Sequence, residues 1–177
     1  MGHDQDHVDR ILEEWAAEWP GLDVSPQGLV GRISRLSRFL ERGLVDTFET
    51  FRLNGGEFDV LATLRRRAGR EEAVTPTSLA DALMLSSAAM TNRIDRLVEA
   101  GLVTRERDDA DRRAVFVRLS DTGRQLIDRA LVEHLKTEAE MINVLTPAEQ
   151  KTLARLLRKL LVPIENGQPP VGVKQAK

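Results

Sequence analysis

The sequence contains no cysteine. Disulfide bonds, thiolate metal sites and oxidant sensing through a cysteine are therefore excluded. No apolar run approaches the length that spans a bilayer, and the N-terminal residues are polar and acidic. We therefore expect neither a membrane segment nor a signal peptide, and we predict a cytoplasmic protein with no membrane partner.

Enzyme motifs are missing as well. There is no glycine-rich phosphate loop and no G-x-S-x-G motif, and the pair Gly55-Gly56 is too short for a nucleotide site. No nucleophile lies beside a general base in any pattern that predicts catalysis. We predict that the chain is not an enzyme, has no catalytic residue and needs no cofactor.

The histidines give no strong indication of a metal site. His3 and His7 are four residues apart, with Asp4 and Asp6 beside them, so they could hold a metal ion. Such residues at a chain end are more often simply solvated, and we predict no metal site. His134 stands alone in a polar helix and is interpreted as an ordinary residue.

What the chain does have is a composition typical of a folded, helix-rich protein. Its 177 residues are 41% hydrophobic and 31% charged, which is enough to bury a real core. The formal net charge is −2, which argues against an indiscriminate nucleic-acid binder. Any DNA binding must therefore depend on where individual arginines lie.

Residues 75–119 have the most informative pattern. Thr75-Pro76 begins one short helix, and a second helix with a polar face ends at Gly101. The hydrophobic period then changes to two, which predicts strands at about 103–107 and 114–119 around a polar turn at 108–113. A helix, a tight turn, a polar-faced helix and a charged hairpin are typical of a winged helix-turn-helix.

Short polar side chains on the second helix can read base edges, and arginines near the hairpin tip suit a minor groove. The predicted DNA-binding residues are Ser86, Ser87, Thr91, Asn92, Arg96, Arg107, Arg112 and Arg113. A polar helix face is often merely solvated, so an interaction module that binds protein and no DNA is the alternative.

Helical patterns flank this region on both sides. We predict helices at 4–19, from 25 to about 53, from the Asn54 cap onward, from Ser120 to about 143, and from the Thr146 capping box onward. The last helix carries a leucine stripe, for which a second copy of the chain is the favoured partner and packing within the chain is the alternative. Proline, glycine and lysine dominate after residue 162, which predicts a disordered tail.

The predicted fold class is therefore mainly α with a small β-hairpin wing, as a dimer built from N- and C-terminal helices. The segments are the N-terminal helices (1–53), the winged helix-turn-helix (54–119), the C-terminal dimerisation helices (120–162) and the tail (163–177).

The stretch SSAAMTNRIDRLVEAGLVTRERDDADRRAVFVRLSDTGR closely resembles the MarR family of bacterial transcription regulators. The most specific part is the wing, D-x-D-R-R followed by V-x-L-S-x-x-G, which runs here from Asp109 to Gly123. This resemblance implies a homodimeric repressor that binds double-stranded DNA at a palindromic operator. The second helix would enter the major groove and the wing the adjacent minor groove.

The first 23 residues resemble a subgroup of that family which responds to urate and has an extra leading helix. Its pattern V-D-x-I-L-x-x-W-x-x-E-x-P-x-L-D is matched from Val8 to Asp23, although Trp19 and Gly21 stand where arginine and aspartate are usual. The subgroup's effector-binding residues, carried over one by one, are Trp15, Asp59, Arg93 and Arg105.

Guanidinium groups, a carboxylate and an indole suit a planar, oxygen-rich anion. The resemblance thus implies a small anionic effector such as urate, or another organic anion such as trans-aconitate. The alternatives are that Trp15 is a core residue and that Asp59 and Arg93 form an ion pair. An effector that draws on Arg93 and Arg105 is expected to weaken DNA binding through linkage.

Overall fold

The computed structural model describes residues 5–68, 74–107 and 115–167, and the chain divides into two compact units, Met1–Gly43 and Leu44–Lys177. The helices and strands of these residues are α1 (His7–Glu18), α2 (Ser25–Gly43), α3 (Val45–Thr50), α4 (Gly55–Arg67), α5 (Pro76–Ala82), α6 (Ser87–Glu99), β1 (Val103–Arg107), β2 (Val115–Leu119), α7 (Asp121–Met141) and α8 (Pro147–Glu165). A mainly helical chain with one small β-hairpin is confirmed.

In the first unit, α1 packs on α2, with Val8 and Leu12 beside the glycines of α2 and a cluster of charges at the start of α1. Asp6 begins α1 because its carboxylate accepts hydrogen bonds from the backbone N–H groups of Val8 and Asp9. The guanidinium of Arg32 on α2 binds the carboxylates of both Asp6 and Asp9. The Asp9 backbone N–H and the Arg32 guanidinium hold the pKa of Asp6 below its ordinary value. The leading helix is thus capped and held to α2 by the same carboxylate.

The long helix predicted from residue 25 to about 53 is instead two helices, and that prediction is wrong. The helix α2 ends at Gly43, and the six-residue helix α3 begins at Val45. Glycine is a poor helix former because its backbone loses the most freedom on folding, so the chain breaks there at low cost. The break allows Phe48 of α3 to join the core of the second unit.

The centre of the second unit is α4, which packs against α3, α6, α7 and β2. Buried side chains lie on both sides of this helix, as its central position requires. They are Phe58, Val60, Leu61, Thr63 and Leu64. The helix begins at the predicted Asn54 cap, where Glu57 completes a capping box.

The helix-turn-helix and hairpin follow the sequence pattern closely. Thr75 caps α5 with Pro76 in its first turn, and Gly101 adopts a φ of 68° just after α6. The strands β1 and β2 pair antiparallel, from Val103 opposite Leu119 to Arg107 opposite Val115. Capping residues and a left-handed glycine therefore mark these boundaries in the sequence.

The last helix runs past the point at which the sequence predicted its end. Thr146 caps α8 with Pro147 in its first turn, and the helix continues through Pro163 to Glu165. A proline in the last turn removes one backbone donor only, so two further residues stay helical. Residues 168–177 of the predicted tail lie outside the described residues.

Candidate functional site

The helix α6 has one buried face and one polar face. Met90, Ile94 and Leu97 are at most 1% exposed and pack into the core. The predicted DNA-binding residues of this helix and its cap, together with the one at the end of β1, are all exposed: Ser86, Ser87, Thr91, Asn92, Arg96 and Arg107. The remaining two, Arg112 and Arg113, lie outside the described residues.

Two of the predicted effector residues, Asp59 and Arg93, lie on the packed helices α4 and α6. The Arg93 guanidinium lies directly on the first turn of α4, and its Nη1 donates to the Gly56 carbonyl oxygen at 3.4 Å. A Cβ on Gly56 would stand 2.5 Å from Arg93 Cζ. Glycine at position 56 therefore makes the room that this arginine occupies.

Asp59 and Arg93 do not form the ion pair that was the alternative interpretation. In the described structure, no nitrogen of Arg93 lies within 4.0 Å of a carboxylate oxygen of Asp59. Burial raises the pKa of Asp59, while the charges of Arg93 and His134 oppose that rise. A carboxylate and a guanidinium thus face the same region without neutralising each other in a contact pair.

His134 is not the ordinary residue that the sequence suggested. Its ring stacks on Phe48 at a centroid distance of 5.7 Å and packs on Phe58 in a tilted arrangement at 4.5 Å. Its Nε2 lies 3.1 Å from Glu138 Oε1, and its Nδ1 is buried without a hydrogen-bond partner among the described residues. The signal was available, because Ile127, Ala130 and His134 follow one helical stripe.

The third predicted effector residue of this unit, Arg105 on β1, forms an ion pair with Asp95 of α6. Its Nη1 lies 2.6 Å from Asp95 Oδ1, and the two side chains are 37% and 47% exposed. This ion pair joins β1 to α6. The sequence placed Asp95 on the polar helix face but gave no indication of its partner.

Trp15 belongs to the first unit and is 39% exposed, so the interpretation of this side chain as a core residue is wrong. Trp19 is 60% exposed on the same unit. Trp15 lines an open surface depression together with Glu14, Ala17 and Glu18. Its part in effector binding stays a prediction.

We expect Asp59→Asn to raise the melting temperature at neutral pH. A carboxyl whose pKa is raised in the folded state disfavours folding once it ionises, so its penalty appears as the pH rises above the ordinary value of 3.8. Since Asp59 keeps contact with solvent, we expect a gain below about 1 kcal/mol, or about 2 °C.

Thermal unfolding between pH 4 and pH 7.5 measures this gain. The control is Asp81→Asn, which makes the same substitution on the exposed surface of α5. A constant difference between Asp59→Asn and the wild type across this range would contradict the prediction.

The described residues contain no group of three or more histidine and acidic side chains that could hold a metal ion. His3 and Asp4 lie outside them, and Asp6 is engaged in the α1 cap and with Arg32. No helix in the described part of the chain is long and apolar enough to cross a membrane.

Comparison with known proteins assigns the family. The MarR family profile matches residues 53–114. The transcriptional regulator PecS of Dickeya dadantii is 38% identical over 153 residues, which cover 86% of this chain and 92% of PecS.

Two solved structures extend the likeness. A cysteine-to-serine variant of E. coli MarR in complex with operator DNA has a TM-score of 0.68 and 26% identity, over 89% of this chain and 99% of that one. BpsR of Bordetella bronchiseptica, whose DNA binding is regulated by 6-hydroxynicotinic acid, has a TM-score of 0.67 and 25% identity, over 76% and 98%. These matches confirm the predicted winged helix-turn-helix, and the chain belongs to the MarR family of transcriptional regulators rather than to an enzyme family.

Proposed function

We propose that this chain is a homodimeric repressor that binds a palindromic operator and is released by a small planar anion, with urate as the first candidate. The observation that carries this proposal is the placement of two guanidinium groups on DNA-reading elements, Arg93 on α6 and Arg105 on β1. An anion that engages both necessarily acts on the parts of the protein that would contact DNA.

DNA binding is supported by the exposed polar face of α6 opposite a fully buried one. The hydroxyl and amide groups of Ser87, Thr91 and Asn92 suit base edges, and the Arg96 guanidinium suits a phosphate or a guanine. The E. coli MarR relative was solved on operator DNA. Arg107, Arg112 and Arg113 stay predicted contacts of the wing.

Homodimerisation is supported by apolar side chains that the described residues of one chain leave exposed. The helix α8 has no buried residue. Its exposed apolar side chains are Leu153, Leu156, Leu157, Leu160, Leu161 and Val162. A stripe of this length needs a covering surface, and a second copy of the chain also gives the two-fold symmetry that a palindrome requires.

The effector chemistry follows from the charges. Guanidinium forks bind the oxygens of an anion in pairs, and the Asp59 carboxylate accepts hydrogen bonds from N–H or O–H groups. BpsR is regulated by a planar heterocyclic acid of the same general kind. Urate has both oxygens for the guanidinium groups and N–H groups for the Asp59 carboxylate. The alternative effector, trans-aconitate, offers carboxylates to the same arginines.

Release follows from linkage. An anion that binds the DNA-free arrangement of α6 and β1 more tightly than the DNA-bound one must weaken operator binding by the same factor. The loss of operator affinity is therefore limited by the ratio of the anion's affinities for the DNA-free and DNA-bound arrangements. A high affinity of the anion for both arrangements would release no DNA.

A gel-shift titration on the chain's own upstream DNA tests the proposal. We expect the wild-type chain to shift the fragment and urate to release it below millimolar concentration. Arg93→Ala should raise the urate concentration needed for release by about 10- to 100-fold, because it removes a charged hydrogen-bond partner. Arg66→Ala, an exposed arginine on α4, is the matched control and should respond like the wild type.

The pair Trp15→Phe and Trp19→Phe identifies which indole contributes, and we expect only the first to weaken the response. If trans-aconitate and not urate releases the DNA, the proposed effector is wrong and the proposed binding site stands. A chain that shifts no fragment of its upstream DNA would instead support the protein-binding module.

A further inference from the structure

The ion pair between Arg105 and Asp95 concerns the proposed effector site directly. Its shortest contact is 2.6 Å, between Nη1 of Arg105 and Oδ1 of Asp95. Both side chains are more than one third exposed, so the pair is open to solvent and can be displaced. A carboxylate thus already lies on one of the two guanidinium groups assigned to the effector.

The partner of Arg105 is specific, because another acid lies next to it in the strand. Glu106 binds Arg118 across the hairpin, with Nε of the arginine 2.7 Å from Oε2. Neighbouring residues of a strand point to opposite faces of the sheet, so Glu106 and Arg105 are directed apart. Arg105 therefore pairs with Asp95 on α6 and not with Glu106.

Asp95 also lies on the part of α6 that is proposed to face DNA. It follows Ser87 and Thr91 at intervals of four residues, so the three side chains form one stripe. When Arg105 neutralises the Asp95 carboxylate, that carboxylate does not repel the phosphate backbone of a bound DNA. The same carboxylate without its arginine repels that backbone.

We infer that Asp95 is an internal competitor of the effector, which holds Arg105 until an anion replaces it. This inference rests on the proposed function and adds a residue to its site. The effector takes Arg105, and the freed Asp95 carboxylate then adds a negative charge to the DNA-reading face. Anions with two coplanar oxygens suit this exchange, because a guanidinium fork can bind them through two parallel hydrogen bonds.

Isothermal titration calorimetry of the full-length chain without DNA tests the inference, with urate and trans-aconitate as probes. Asp95→Asn removes the competing charge and should tighten anion binding by about two- to five-fold, the range of an exposed ion pair. Glu99→Gln removes one negative charge from the exposed surface of the same helix and should leave the affinity unchanged. In an Arg105→Ala background, Asp95→Asn should give no gain.

The outcomes separate the inference from the proposed function. A gain in Asp95→Asn that is absent from Glu99→Gln and lost without Arg105 supports the inference. The inference alone is overturned if the wild type binds the anion, Arg105→Ala weakens that binding, and Asp95→Asn leaves the affinity unchanged. It is also overturned if the gain from Asp95→Asn persists without Arg105. A wild-type chain that binds neither anion overturns the proposed effector and the inference with it.

Discussion

Leu157→Glu on α8 is expected to convert the proposed homodimer into monomers and to weaken operator binding by about 100-fold or more. A glutamate in the apolar stripe would bury an unpaired charge in the proposed interface, which strongly disfavours association. A single reading head then loses the gain in affinity that two linked heads obtain on two half-sites. Light scattering after gel filtration and a gel shift measure the two effects.

The matched control is Arg155→Gln, which makes the same change of charge on another face of α8 and should leave both properties unchanged. Leu157 lies outside the buried core of the second unit, so circular dichroism should show a folded chain. A variant that stays dimeric and binds the operator normally would show that α8 is not the interface.

Gly123→Ala is expected to destabilise the fold by about 3 kcal/mol, which lowers the melting temperature by about 6–12 °C. A Cβ at this position would stand 1.9 Å from the Leu102 carbonyl oxygen and 2.8 Å from its carbonyl carbon. That oxygen also accepts a hydrogen bond from the Ser120 backbone N–H at 3.0 Å. The obstacle is backbone, so a rotamer change cannot relieve the clash.

Differential scanning calorimetry with Gly31→Ala as the control tests this expectation. A Cβ on Gly31 meets Val8 at 3.5 Å, an ordinary contact, and α2 gains about 0.5–1 kcal/mol from alanine in a helix interior. Opposite shifts of the two melting temperatures are therefore expected. A Gly123→Ala variant as stable as the wild type would refute the close approach between α7 and the loop before β1.

The elements that could be predicted are those whose signals are local. Caps at Asn54, Thr75 and Thr146 and the left-handed glycine at 101 each depend on a few neighbouring residues, so they mark helix ends without knowledge of the fold. The polar face of α6 could be predicted for the same reason, because helical spacing alone separates it from the buried face.

The features that could not be predicted depend on residues distant in the chain. The break after Gly43 places Phe48 in a core completed by α4 and α7. The partly buried site of His134 is made by aromatic rings of α3 and α4, and Asp95 meets Arg105 only because β1 packs beside α6. Helix and strand propensities predict none of these contacts, because tertiary packing overrides local preference.

The glycine at position 56 also bears on the entropy of the proposed anion binding. The Arg93 guanidinium fills the space beside Gly56 and donates to its carbonyl oxygen, and these contacts hold the side chain before the proposed anion binds. A long side chain that is already ordered loses less conformational entropy when it binds, so more of its attraction to the anion is expressed as affinity. Preorganisation at this arginine thus originates in a residue that has no side chain.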